Sequence, residues 1–185
     1  GDNPDLSKSN NFGYHQLDQD GISCPLGSHI RRANPRDSSK KHPDDALRSA
    51  NNHRLLRRGR PYGLPIADPP RRPGEEEAAE RGLVFLCLNG DIERQFEFVQ
   101  HTWLNNPEFA GLCSEVDPLV GDPGPGGGHF TEQREPVRRR LGGLSRFVTV
   151  KGGAYFFMPG VPALRYLAQL DTNGGTAAIE TRNEE

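Results

Sequence analysis

Residues 82–104, GLVFLCLNGDIERQFEFVQHTWL, decide the fold class of this chain. Leu83–Val84–Phe85–Leu86–Cys87–Leu88 is an unbroken apolar run bounded by Gly82 and Asn89–Gly90. Too short for a helix and flanked by turn residues, it predicts a strand buried on both faces. Asp91 then offers a helix cap. Ile92, Phe96, Val99 and Trp103 follow at spacings of four, three and four, which is one helical face, and Asn105–Asn106–Pro107 ends it.

Downstream, residues 107–145 read as mostly irregular and include the Gly/Pro tract Gly121–Gly128. A hairpin is expected next, from Phe147–Val150 through Lys151–Gly152–Gly153 to Ala154–Phe157. Pro159–Gly160 stops it, and Pro162 opens a last helix carrying Val161, Leu164, Leu167 and Ala168. Upstream, residues 1–28 are polar and lack periodicity, and Asp44–Arg48 suits a short helical turn. Residues 54–58 suit a short strand before a turn at Gly59–Gly63, and Asp68–Glu80 reads as an exposed loop. Strand, helix, strand, strand, helix without strict alternation predicts an α+β fold: an antiparallel sheet with helices on one face. The expected organisation is an irregular leader at 1–81, a folded module at 82–170 and a polar tail at 171–185.

Composition agrees with a thin front half. Residues 1–81 hold 20 apolar residues, a quarter of the segment, whereas residues 82–170 hold 38 of 89. Gly and Pro together make 38 of 185 residues, about a fifth against a usual share of roughly 12%. The formal charge of −2 names no partner. No apolar run approaches the roughly 18 residues of a membrane span. Gly1, where an initiating Met would stand, and the lack of a signal-peptide pattern suggest a fragment or a processed chain. Cys24, Cys87 and Cys113 form no CxxC and cannot all pair, so neither a disulfide framework nor a zinc site is indicated. Isolated thiols fit a reducing, cytoplasmic compartment.

The Gly-rich tract Gly124–Gly128 lacks the preceding strand and following helix of a phosphate cradle and reads as a surface loop. From His29 to Arg60 ten Lys or Arg face three acids. Only Tyr62 lies close enough to stack a base, so a partner-facing loop is favoured over nucleic-acid binding. Arginines in such a segment also suit the carboxylates of a bound cofactor. The six histidines form no HxxxH pair. His29 stands out by its neighbourhood alone, Cys24–Pro25–Leu26–Gly27–Ser28–His29–Ile30–Arg31–Arg32–Ala33–Asn34–Pro35–Arg36–Asp37.

That string, CPLGSHIRRANPRD, closely resembles the haem-ligand segment of the dye-decolourising (DyP-type) peroxidases. Three more stretches resemble that family in the same order. They are HRLLRRGRPYG at 53–63, GLVFLCLN at 82–89 and RFVTVKGGAYFF at 146–157. The resemblance implies an α+β enzyme built from ferredoxin-like modules of the dimeric α/β barrel type, with haem b in the C-terminal one. It implies His29 as the proximal iron ligand and Asp117 as the carboxylate behind it. It implies Arg57 as the distal arginine that stabilises charge on peroxide oxygen, with Leu83 and Phe85 filling the distal pocket. Arg31, Arg32 and Arg36 become candidates for the haem propionates. H₂O₂ and an organic electron donor would be the substrates, with Trp103, Tyr62, Tyr155 and Tyr166 available to relay electrons.

The family's GxxDG motif, whose aspartate moves the peroxide proton, is absent, and Gly59 stands where some members have Asn. The chain therefore resembles the C-terminal part of such an enzyme, with a complementary N-terminal chain as its expected partner and room for an oligomer. Two other readings stay open: a haem carrier or storage fragment, and a non-catalytic module binding an acidic partner through residues 29–60.

Overall fold

A computed structural model describes residues 10–63 and 80–170. The loop expected over 68–80, apart from Glu80, and the tail from 171 lie outside the described residues. The chain packs as two units, Gly1–Thr149 and Val150–Glu185. The first contains helices α1 (Tyr14–Leu17), α2 (His29–Ala33) and α3 (Pro43–Asn52), then strands β1 (Leu56–Tyr62) and β2 (Gly82–Leu88). Helical stretches α4 (Glu93–Glu97) and α5 (Val99–Leu104) follow, then a single turn at Phe109–Gly111 and strands β3 (Gly128–Glu132) and β4 (Arg139–Leu144). The second unit holds α6 (Val161–Leu170). Helices and antiparallel strands without alternation make this an α+β protein, as expected. Among the described residues the strands form two separate two-stranded sheets and no closed barrel.

In the first sheet β1 runs antiparallel to β2, from Leu56 opposite Leu88 to Tyr62 opposite Gly82. The strand is longer than residues 54–58, and the turn expected from Gly59 is not there. Gly59 and Pro61 are both in the ladder, and Pro61 is tolerated because a two-stranded ribbon has free edges. The backbone first turns into the left-handed region at Gly63, with φ of 92°. β2 forms where the apolar run predicts it, but it is not buried. Leu83 and Leu86 are 62% and 57% exposed. An apolar run marks surface that needs cover, and the described residues supply a partner on one edge only.

The helix after Asp91 forms and is wound unusually. Glu97 N–H donates to Ile92 O and Asn105 N–H to Gln100 O, each at 3.0 Å, closing rings five residues back. Phe98 joins α4 to α5 in helical conformation. The wider winding shifts the apolar stripe: Val99 and Leu104, five apart, are buried, while Phe96 and Trp103 are half-buried. Asp91 Oδ1 accepts Arg94 N–H at 2.9 Å, so this carboxylate does cap the start.

Two expectations for the later chain are corrected. Residues 147–157 form no hairpin; Val150, Phe156 and Phe157 are more than four-fifths exposed. An isolated two-stranded hairpin is marginal in water without a further strand or helix to cover one face. Residues 107–145, expected to be irregular, contain the β3–β4 pair instead, with a bulge between Gly128 and Phe130. The Gly-rich tract leads into β3, with Gly124 and Gly127 at positive φ. α6 starts at Val161 with Pro162 in its first turn and leaves Leu164 and Leu167 about half exposed. No helix among the described residues is long and apolar enough to cross a membrane.

The core of the first unit is small and mixed. Tyr14, Ala50, Val99, Leu104 and Leu112 are buried together with Arg31, Arg32, Arg36, Glu115, Asp117, Thr131 and Gln133. Polar groups inside a protein must find partners, and satisfying them organises the site.

Candidate functional site

Ser28 precedes the first turn of α2 in extended conformation, and His29 is the first helical residue. The turn's free N–H groups and its dipole favour an anion there. Asp117 provides it from 88 positions downstream, buried to 2% exposure. Its Oδ2 accepts the His29 backbone N–H at 2.5 Å and faces His29 Nδ1 at 3.1 Å. Its Oδ1 accepts the N–H groups of Leu119 and Val120 at 2.8 and 3.0 Å. A carboxylate only accepts, so the ring proton belongs on Nδ1 and Nε2 carries the lone pair. The His29 side chain is 39% exposed, and Nε2 has no hydrogen-bond partner among the described residues. Gly121 closes the Asp117 turn. A Cβ there would lie 2.6 Å from Val116 Cβ and 2.8 Å from Asp117 O.

Arg31, Arg32 and Arg36, the candidates for the haem propionates, all donate to groups of this chain. Arg31 donates to the carbonyls of Asp18, Gln19 and Cys24 and to Asp18 Oδ2. Its guanidinium also lies 4.2 Å from the Tyr14 ring centroid. Arg32, fully buried, donates to the carbonyls of Gly27, Trp103, Leu104, Asn106 and Glu115 at 2.6–3.2 Å. Burial lowers its pKa, and the charges of Asp117 and Glu115 oppose that shift. Arg36 donates to Asn10 O, Asn10 Oδ1 and Phe12 O and covers the Phe12 ring at 3.9 Å. These guanidiniums satisfy loop and helix-end carbonyls around α2. With three of its cations turned inward, the segment 29–60 is also less of a basic surface than its composition suggests.

The remaining expected residues meet on the β1–β2 ribbon. Residues directly opposite in an antiparallel pair share a face, and alternate residues along each strand share it too. Arg57 is opposite Cys87, Gly59 opposite Phe85 and Pro61 opposite Leu83. Arg57, Leu83 and Phe85 therefore stand on one face, and Arg58 stands on the other. Gly59 leaves that face open between Arg57 and the apolar pair; a Cβ there would touch Leu83 Cδ1 at 3.2 Å. Phe85 meets Phe96 of α4, ring centroids 6.3 Å apart. Trp103 packs edge-on against His53 and Phe98, while Tyr62, Tyr155 and Tyr166 are exposed.

Several supporting groups gave no signal in the sequence. Buried Glu115 accepts from both Thr131 N–H, at 3.0 Å, and the Thr131 hydroxyl. Gln133 Oε1 accepts Leu26 N–H at 2.9 Å, anchoring the segment before His29. Asp37 Oδ1 holds the start of α1 through the N–H groups of Tyr14 and His15. Tyr14 is buried beside Cys24, and burial, then the contact with that thiol, pushes its pKa up to about 12. No cluster of three or more His, Cys, Asp or Glu suited to a metal ion occurs among the described residues.

Among known proteins, the multifunctional dye peroxidase DyP2 of Amycolatopsis sp. is 37% identical over 177 residues, covering 85% of this chain and 35% of that protein. The chain belongs to the dye-decolourising peroxidase family. A dye-decolorizing peroxidase of Exidia glandulosa is 31% identical over 169 residues, covering 86% of this chain and 31% of the relative. The chain thus spans about a third of the length of these dye-decolourising peroxidases. Among solved structures, the Anabaena sp. DyP-type peroxidase matches with a TM-score of 0.57 at 32% identity, covering 73% of this chain and 29% of that one. The Amycolatopsis DyP2 structure matches with a TM-score of 0.60 at 28% identity, covering 82% and 34%. This likeness supports the ferredoxin-like α+β class. No family model matches the chain.

Proposed function

We propose that this chain is the haem-holding part of a peroxidase that uses H₂O₂ to oxidise dyes, phenols or similar organic donors one electron at a time. The observation that carries the proposal is the His29–Asp117 pair. A buried carboxylate holds Nδ1 at 3.1 Å and leaves Nε2 of a half-exposed imidazole open, the donor a haem iron takes. The residues fit a haem, haem b in this reading: His29 would hold the iron, and Asp117 would orient the ring and make it a stronger donor. When bound, haem supplies the iron chemistry by which peroxide is reduced and a donor oxidised.

The protein's own contributions follow from charge and polarity. Arg57 carries only donors, so it acts by stabilising negative charge on a peroxide oxygen and not as a base. Leu83 and Phe85, on the same face, would keep water scarce there once that face is covered, and so strengthen that interaction. In this reading residues 1–81 bring the ligand and distal-arginine segments to a ferredoxin-like module at 82–170. No GxxDG occurs in these 185 residues, so the acid that moves the peroxide proton lies outside them. The test is steady-state dye oxidation by H₂O₂ with the haem-loaded chain, alone and with the complementary part of a family relative. Turnover that rises on complementation and falls at least tenfold in Arg57→Ala is expected. Turnover indifferent to Arg57 would remove it from the site.

A further inference from the structure

The end of the β1–β2 ribbon that carries Arg57 is closed by a side chain instead of a backbone rung. The ladder ends with Leu56 opposite Leu88. Continued two residues outward, the same register brings Arg54 opposite Gly90. Gln95 of α4 occupies that place. Its Nε2 donates to Arg54 O at 2.7 Å, and its Oε1 accepts Gly90 N–H at 2.8 Å and Asp91 N–H at 3.1 Å. A carboxamide carries the same donor and acceptor as a peptide group, so it bridges both strand extensions as a ladder partner would.

Gln95 is itself held. Its N–H donates to Asp91 O at 3.0 Å. Beside it, His53 Nδ1 contacts Arg94 O at 2.5 Å while the His53 ring stacks on Phe98, centroids 3.8 Å apart and 7° from parallel. The entry to β1 and the exit from β2 are thus both tied to one helical turn.

Register matters here for a particular reason. Nineteen residues separate Tyr62 from Gly82, too many for a tight turn to fix the pairing. A slip of one residue would move every β1 side chain to the opposite face of β2. Arg57 and Arg58 are consecutive, so such a slip would exchange one guanidinium for the other beside Leu83 and Phe85. At the far end the Tyr62 ring lies over Gly82. We propose that Gln95 is the positioning residue at the near end: its carboxamide fixes the β1 register and thereby selects Arg57, over Arg58, for the face shared with Leu83 and Phe85. This rests on Arg57 being the functional arginine.

The experiment combines amide hydrogen exchange on the full 185-residue chain with fluoride titration of its haem-loaded form. In Gln95→Ala, exchange at Leu56–Arg58 and Leu86–Leu88 should rise about tenfold, the effect of losing roughly one net hydrogen bond. Amides at Gly82–Val84 and in α2 should not change. Gln95→Glu, which keeps the acceptor and loses the donor, should fall between the two. Fluoride binding should weaken in Arg57→Ala and not in Arg58→Ala, and Gln95→Ala should narrow that difference. Unchanged exchange at the near end, or a uniform rise along the chain, overturns the proposal. Local exchange as expected with fluoride affinity indifferent to Arg57→Ala overturns instead the role of Arg57 on which it rests.

Discussion

Replacing Asp117 by Asn exchanges one carboxylate oxygen for an NH₂ of nearly the same size and should be severe. In the native protein Oδ2 serves His29 N–H and Nδ1, and Oδ1 serves Leu119 and Val120 N–H. Asn has one acceptor oxygen, so whichever way its amide turns, an NH₂ faces two donors. Asp117 is 2% exposed, and water cannot replace the lost partner. Two hydrogen bonds to a charged acceptor, at about 1.5–3 kcal/mol each, give a loss of about 3–6 kcal/mol. That is a large fraction of the roughly 5–15 kcal/mol that holds a typical domain folded. His29 has an escape that makes the variant informative: it can accept at Nδ1 from the new amide and move its proton to Nε2. That tautomer cannot donate to iron, and haem affinity should fall about 10–100-fold, the usual effect of losing a ligand's hydrogen-bond partner. Urea denaturation followed through the single tryptophan, Trp103, reads the first quantity, and haem titration reads the second. A variant within about 1 kcal/mol of wild type with unchanged haem affinity would refute the reasoning.

Three further outcomes are expected. Tyr14 has its folded pKa raised to about 12 from an ordinary 10, so its contribution is complete below pH 10 and is lost as pH rises toward 12. The slope amounts to about 2–3 kcal/mol and should vanish in Tyr14→Phe, measured by urea midpoints across that range. Arg32→Lys should cost at least about 3 kcal/mol, because three ammonium donors cannot serve five carbonyls fixed by a planar fork; a thermal melt checks it. Gly121→Ala places a Cβ against Val116 and the Asp117 carbonyl and should cost about 1–3 kcal/mol. A shifted ring resonance of His29 in NMR spectra should accompany that loss.

The sequence was most legible where local pattern decides local structure. The apolar run 83–88 forms a strand and the periodic residues after Asp91 form a helix because length, flanking turns and spacing act within a few residues. It was least legible where the outcome depends on what lies across the fold. An apolar run states a need for cover without naming what covers it, and β2 is exposed. The same holds for Phe156 and Phe157, whose expected hairpin lacks a third partner. Arg31, Arg32 and Arg36 advertise charge, yet their roles are set by orphan carbonyls of loops and helix ends, which no residue type reveals. His29 and Asp117 are 88 positions apart and share no periodicity; only the resemblance to the peroxidase family links them in the sequence. Gln95 was invisible for a related reason, since its partners become neighbours only once β1 and β2 are in register.

The direct test of His29 as haem ligand is equilibrium haem titration at the Soret band of wild-type chain, His29→Ala and, as a control, His101→Ala. One haem per chain is expected, with a histidine-ligated ferric spectrum in wild type and His101→Ala that is lost in His29→Ala. An unchanged spectrum and affinity in His29→Ala would contradict it.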